Sequence, residues 1–309
     1  MDEDLKTLLT SLLGADPDVP VDDAGREGVI YAMLGIHSKE QLVALWRFTS
    51  SIKNEFKRSH MLHKLVEQTA KRAIEHDLAE RIARSIPDAY WRFSALNNVA
   101  AALLERARQF DAPAPKTGSE LRERGLRLLQ DVEKGLVSIP EDDGDRATVL
   151  WSAGLSLVGA GKLEWAESLA TTTKYCPENT EVFLRSAKAR LALGQTTRAI
   201  ELARAVADLA RAGSGNLTNR AFDLEDASEI LFDCSAIEDA QECLDAAAEI
   251  AFASQEAHDI DGAKCLVAIA VALGKQGHLD KARETANKIT QPARREHALK
   301  KIAELTATV

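Results

Sequence analysis

Residues able to do chemistry are sparse in this chain, and the best spaced are His60, His63 and Glu67. Positions i, i+3 and i+7 share one face of a helix. Two imidazoles and a carboxylate at that spacing could share a zinc ion and leave one position for water. No fourth ligand or general base is evident and HExxH is absent. The same side chains therefore also read as a polar face open to solvent or to a peptide. Asp16, Asp18, Asp22 and Glu27 have part of a calcium-loop spacing, but Val21 stands where that loop needs glycine. Asp142, Asp143 and Asp145 read as exposed turn residues. GxxxxGK[ST], GxGxxG and GxSxG do not occur, so phosphate-loop and serine-hydrolase chemistry lack support. The expectation is a protein without a cofactor that is not an enzyme.

Charge and aromatic side chains offer recognition instead. Asp226, Glu229 and Asp233 form an acidic stripe, with Asp223 and Glu225 beside it. It reads either as a docking strip for a basic segment or as a solvated face. Tyr90 and Trp91 would be partner anchors if exposed, and junction packing if not. The formal net charge of −9 opposes nucleic acid and anionic membranes as partners. No run is long and apolar enough to span a membrane. The acidic start MDEDLKTLLTSLLGADPD lacks the positive end of a secretory signal. Cys176, Cys234, Cys243 and Cys265 show no CxxC pairing and read as reduced, buried thiols of a cytoplasmic protein.

The elements that must position these residues follow from an internal repeat. The stretch Ala79–Ala100 matches Ala282–Ala303 at seven positions with the same gaps. In the first copy these are Ala79, Ala83, Ile86, Arg92, Leu96, Val99 and Ala100. Repeat units start at Arg58, Arg92, Arg146, Asn179, Arg220, Gly262 and Arg295. Four residues after each start lies a large apolar side chain, and eight after it a small one in all but the first unit, where Val66 stands. Both fall on one helical face, and the small residues admit a second helix at close range. Turns then recur as Gly161-x-Leu163-x-x-Ala166, Gly194-x-Thr196-x-x-Ala199, Ser235-x-Ile237-x-x-Ala240 and Gly277-x-Leu279-x-x-Ala282. Glycine in that slot suits the left-handed conformation that ends a helix. Scarce aromatics and abundant Ala and Leu agree with helices rather than strands.

Residues 1–57 fall outside this frame and read as an N-terminal helical cap or small unit, with residues 58–309 as the repeat domain. Helices are expected at about 5–13 and 24–34, and a third at about 39–54 behind a Ser38/Gln41 capping box. A Pro/Gly loop is expected at about 111–118, followed by a long inserted helix from about Ser119 to Val137.

The helix–turn–helix unit resembles the tetratricopeptide repeat, whose period is about 34 residues. The fullest unit is Arg146–Glu178, with Gly154 at the small position, Gly161, Leu163 and Ala166 at the turn, and Pro177 near the closing proline. The family's early tryptophan is Leu150 here, and the longer units that start at Asn179 and Arg220 also fit HEAT-like repeats, so the subfamily stays open. The resemblance implies an all-α solenoid of antiparallel helix pairs, a right-handed superhelix whose first helices line a concave groove for a peptide or partner helix. It places groove residues 2, 5, 6 and 9 positions after each start. Those with polar or aromatic side chains include His60, His63, Lys64, Glu67, Asn97, Asn98, Trp151, Glu181, Arg185, Lys188, Glu225, Asp226, Glu229, Lys264, Lys300 and Lys301. The carboxylate clamp of chaperone-binding members is echoed only at Asn97 and Arg185, so chaperone tails are not the expected ligand. A protein or peptide partner is expected, self-association remains possible, and a purely structural subunit or a metal-dependent module are the alternatives.

Overall fold

The computed structural model describes residues 38–71, 75–110, 112–140, 144–172, 177–213, 216–257 and 260–307, and all regular structure among them is helical. Two compact units divide the chain at Ala160/Gly161, inside the repeat that starts at Arg146. The helices expected at 5–13 and 24–34 and the Asp16–Glu27 loop lie outside the described residues. No described helix is long and apolar enough to cross a membrane.

The first unit holds α1 (Lys39–Ser50), α2 (Glu55–Lys71), α3 (His76–Arg84), α4 (Ala89–Phe110), α5 (Pro115–Gly135), a 3₁₀ turn (Leu136–Ser138) and α6 (Gly144–Gly159). Ser38 caps α1 as its sequence predicts: its Oγ accepts from the Gln41 N–H, and Gln41 Oε1 accepts from the Ser38 N–H. The helix stops short of residue 54 because Ser51 donates its hydroxyl to the Phe48 carbonyl and Ile52 turns into the core. Asn54 instead caps α2, accepting from the Lys57 N–H at 3.0 Å. The expected 111–118 loop is also shorter than the sequence pattern suggests. Pro115 supplies a preset φ at the first helical position, so α5 begins there rather than at Ser119. Helix α5 lies close on α4: a Cβ on Gly125 would meet Leu104 Cγ at 2.9 Å.

The second unit holds α7 (Leu163–Ala170), α8 (Pro177–Ala192), α9 (Thr196–Ala212), α10 (Leu217–Asp233), α11 (Ile237–Glu256), α12 (Ile260–Lys275), α13 (Leu279–Asn287) and α14 (Pro292–Ala307). Gly161, Gly194, Ser235 and Gly277, the four residues placed in one turn slot by the sequence, all have positive φ, between 62° and 87°. Three of these turns share a closing bond from the residue after the slot to a carbonyl five residues back: Gln195 to Arg190, Ala236 to Leu231 and His278 to Leu273. Beyond each turn Ala166, Ala199, Ala240 and Ala282 are buried, as are Ala170, Ala203, Leu244 and Ala286 one turn on. In α8, α10 and α12 the frame's large positions, Phe183, Leu224 and Leu266, and small positions, Ala187, Ser228 and Ala270, are buried between the paired helices. In α14, which no described helix follows, Leu299 is half-buried and Ala303 exposed.

Consecutive helices pack within each pair, and first helices also touch the first helix of the next pair: α2 with α4, α4 with α6, α8 with α10, α10 with α12, and α12 with α14. Second helices are joined by surface ion pairs, Arg84 to Asp131 and Arg124 to Glu80 in the first unit, Arg204 to Asp239 and Lys281 to Asp245 in the second. Each such pair is worth about 0–1 kcal/mol, so the apolar faces carry the stability. Three of the repeat-start arginines, Arg58, Arg92 and Arg220, have a capping role. Arg58 donates to the Ile52 carbonyl at 2.8 Å, Arg92 to Ile86 and Pro87 at 3.0 Å, and Arg220 to Ala210 at 2.7 Å and Arg211 at 3.0 Å. Each guanidinium satisfies carbonyls left open at or just beyond the preceding helix's end, where a cation also opposes the helix dipole.

Candidate functional site

The candidate site lies in the second unit, on the exposed side of α8, α10, α12 and α14. A groove of about 920 Å³ runs over α12, flanked by α10 and α14. Its floor is apolar and small: Val267, Ala268, Val271 and Ala272 of α12, with Phe222 and Phe232 of α10 and Ala293 of α14 at the sides. The α10 wall presents Glu225, Glu229 and Asp233. The α14 wall presents Arg294, His297 and Lys301, and Lys264 and Lys275 lie at the two ends of the α12 strip. Lys264 Nζ sits over the Phe222 ring, 5.9 Å from its centre. At the inner edge Gln276 Nε2 donates to Ser228 Oγ, which itself donates to the Ala240 carbonyl.

A second, polar hollow of about 520 Å³ lies between α8 and α10, lined by Glu181, Leu184, Arg185 and Lys188 from one side and Phe222, Asp223 and Asp226 from the other. Lys188 Nζ spans it, 2.9 Å from Asp226 and 3.3 Å from Glu229. Arg185 pairs with Glu181 on its own helix. Burial pushes the Asp223 carboxyl up to about 7, against the hydrogen bond it accepts from Thr180 Oγ1 and with Asp226 and Glu181 adding to the rise. Burial also lifts Glu225 to about 7, helped by Asp226 and Glu229 and opposed by Lys188 and Lys275. Two acids of the α10 stripe are thus held where their charge is poorly solvated.

The sequence frame places this lining well. Offsets of 2, 5, 6 and 9 from Asn179 are Glu181, Leu184, Arg185 and Lys188, all in the polar hollow. The same offsets from Gly262 are Lys264, Val267, Ala268 and Val271, all in the larger groove. Among the expected residues, Glu225, Glu229 and Lys264 share that groove, while Glu181, Arg185 and Lys188 share the hollow beside it. Attention to polar residues alone misses the apolar floor, although the same offsets point to it. Arg294 and Lys275 have no such offset. They line the groove because α14 and the end of α12 come close in space.

The first unit treats its expected residues differently. Asn97 is 2% exposed, its Nδ2 donating to Ser152 Oγ and its Oδ1 accepting from Ser156 Oγ at 3.3 Å. It bridges α4 to α6 and presents no surface to a partner, which corrects its assignment to an open groove. Asn98, one position on, lines a hollow of about 390 Å³ with Glu67, Ala70, Ala101 and Ala102. Trp151 is half-buried. His63 is 8% exposed, and Asn98 Nδ2 reaches its Nε2 at 3.3 Å, with Ser94 Oγ at 3.0 Å. Since an amide nitrogen only donates, Nε2 is the acceptor and the ring is neutral. Burial lowers its pKa to about 4, with Lys64 and His60 adding to the fall and Glu67 opposing it. The Trp91 ring packs 4.8 Å from His60, 5.1 Å from His63, 4.7 Å from Tyr90 and 6.1 Å from Phe56. Trp91 is therefore packed across the α2/α4 junction. Glu67 accepts from Lys64 at 3.1 Å. Among the described residues no three His, Cys, Asp or Glu side chains gather as metal ligands, so His60, His63 and Glu67 share a helix face without forming a centre. Burial raises the Cys243 and Cys265 thiols to about 11 and about 12, far from the thiolate a nucleophile or ligand needs.

No protein-family model matches the chain, and no curated protein matches it. Among solved structures it is similar to the crystal structure of Ton1535 from Thermococcus onnurineus NA1, at 13% identity over 97% of this chain and 98% of that one, with a TM-score of 0.25. A likeness at that score carries no argument about fold or function.

Proposed function

We propose that this protein is a non-enzymatic interaction scaffold, built in each unit from tetratricopeptide-like helix pairs, that binds a helix or peptide of a protein partner along its first helices. The observation that carries this reading is the groove of about 920 Å³ over α12, with its apolar floor and charged walls. Recognition grooves pair an apolar contact strip with a few charged groups that set orientation. The lateral contacts between first helices support the stacked, solenoid-like arrangement. Among the described residues Cys234, Cys243 and Cys265 are free thiols, the first half-buried and the other two buried, which agrees with work in the cytoplasm; Cys176 lies outside the described residues.

Site-specific photocrosslinking in the native host tests the reading. A photoreactive side chain at exposed Lys264, inside the groove, is compared with one at exposed Glu249 on α11, outside it. A discrete protein adduct at position 264 that is missing at 249 is the expected result. Adducts at 249 alone, or none at 264, would sink the proposal.

A further inference from the structure

The larger groove is polarised across its width. Glu225, Glu229 and Asp233 stand four residues apart, a single column along α10. Arg294, His297 and Lys301, spaced three and four, form the opposing column on α14. Between them Lys264, Ala268, Val271 and Lys275, spaced four, three and four, run down α12. The floor between the columns is thus small and apolar, with a lysine at each end.

The opposed charges do not satisfy one another. Among the described residues no ion pair joins the α10 column to α12 or α14. Glu229 pairs away from the groove with Lys188, and Lys301 pairs along its own helix with Glu304. Lys264, Lys275 and Arg294 have no ion-pair partner among the described residues. Opposite columns held apart over an apolar strip leave a space that an object with its own two charged edges would fill. Small floor residues let a helix axis approach within about 8–10 Å.

We infer that the groove takes an amphipathic partner helix whose apolar stripe lies on Val267, Ala268, Val271 and Ala272, with basic residues along the flank facing α10 and acidic residues along the flank facing α14. This rests on the scaffold reading and names the chemistry of its ligand. Turning a helix end for end with its apolar face down exchanges its flanks. The two columns therefore fix the direction in which the partner runs, as flanking charges do in paired helices. A helix with two acidic flanks meets the Glu225 column, and one with two basic flanks meets the Arg294 column. Each is penalised on one side.

The test uses the full chain and three synthetic helical peptides of about four turns, roughly 14 residues, with one shared leucine stripe. One carries lysine on one flank and glutamate on the other, one carries glutamate on both, and one carries lysine on both. Fluorescence anisotropy should show the split-charge peptide binding at least tenfold more tightly than either uniform peptide. The double variant Arg294→Glu/Lys301→Glu, at one half-buried and one exposed position, should reverse that order in favour of the all-lysine peptide. Equal or tighter binding of a uniform peptide to the wild type, or an order unmoved by the double variant, would overturn the inference and leave the scaffold reading standing. No binding by any peptide, together with no groove adduct at position 264, would remove both. Concentration-dependent self-association abolished by the double variant would give the groove to a second copy and overturn the partner-helix assignment.

Discussion

Protonation of His63 should be a measurable weak point of the first unit. The folded protein holds this imidazole neutral, with Nε2 accepting from Asn98 and with its pKa lowered to about 4 from 6.5. Above pH 6.5 the ring is neutral in both folded and unfolded chains, and its contribution is fully present. As pH falls below 6.5 the unfolded chain takes up a proton that the folded protein refuses until about pH 4, so stability is lost on acidification. Between pH 7.5 and pH 5 this linkage amounts to about 2 kcal/mol. His63→Gln keeps an acceptor for Asn98 and Ser94 but cannot titrate. Urea unfolding of both proteins at the two pH values, with hydrogen exchange in α2 and α4 as the local readout, isolates the effect. The variant is less stable at pH 7.5 through lost packing on Trp91, and the gap between the two should shrink by about 2 kcal/mol at pH 5. A gap that changes by less than about 0.5 kcal/mol would refute the assignment of His63 as a buried neutral acceptor.

The acidic stripe should respond in the opposite sense. Glu225 and Asp223 have raised folded pKa values of about 7, so stability present below their ordinary pKa values is lost as pH rises through 7. Glu225→Gln should therefore stabilise the protein by about 1–2 kcal/mol at pH 8, after allowance for partial exposure, and by almost nothing at pH 4; urea midpoints that do not move at pH 8 would count against it. Ser235 occupies a left-handed position (φ 62°) that Gly161, Gly194 and Gly277 fill elsewhere. Ser235→Gly should raise stability by about 0.5–1 kcal/mol in thermal melts, and Gly194→Ala should lower it by about 1 kcal/mol. Glu167, 4% exposed, accepts from Arg190 at 3.0 Å and Arg198 at 2.8 Å and ties α7 to α8 and α9. Glu167→Ala should cost about 1–3 kcal/mol, because Arg190 keeps Glu164 at 2.9 Å but its buried Nε loses the Glu167 acceptor, read as a lower urea midpoint.

Much of the helical framework was legible in the sequence because it is local. Turn slots need positive φ, and spacings of four and eight keep residues on one face whatever surrounds them. Hence Gly161, Gly194, Ser235 and Gly277 stand alike, and the offsets from Asn179 and Gly262 all point to lining residues. Arg58, Arg92 and Arg220 were legible only as repeat markers. Their donation to the preceding helix end depends on how tightly the chain turns between helices, which spacing does not encode. Boundaries also turned on single residues: Pro115 started α5 early, and Asn54 left α1 to cap α2.

Whether a face is open was decided by tertiary structure alone. Asn97 and Asn98 are adjacent groove candidates by offset, yet α6 approaches with Ser152 and Ser156 and closes over the first while the second lines a hollow. His60, His63 and Glu67 share a face in sequence, but Trp91, Ser94 and Asn98 arrive from α4 and pair with the histidines. The groove itself arises because α10 and α14 flank α12 at a separation that leaves its small apolar strip uncovered. A pattern within one helix sets which side chains share a face. Only the distance to helices about thirty or more residues away sets whether that face is filled by the protein or left for a partner.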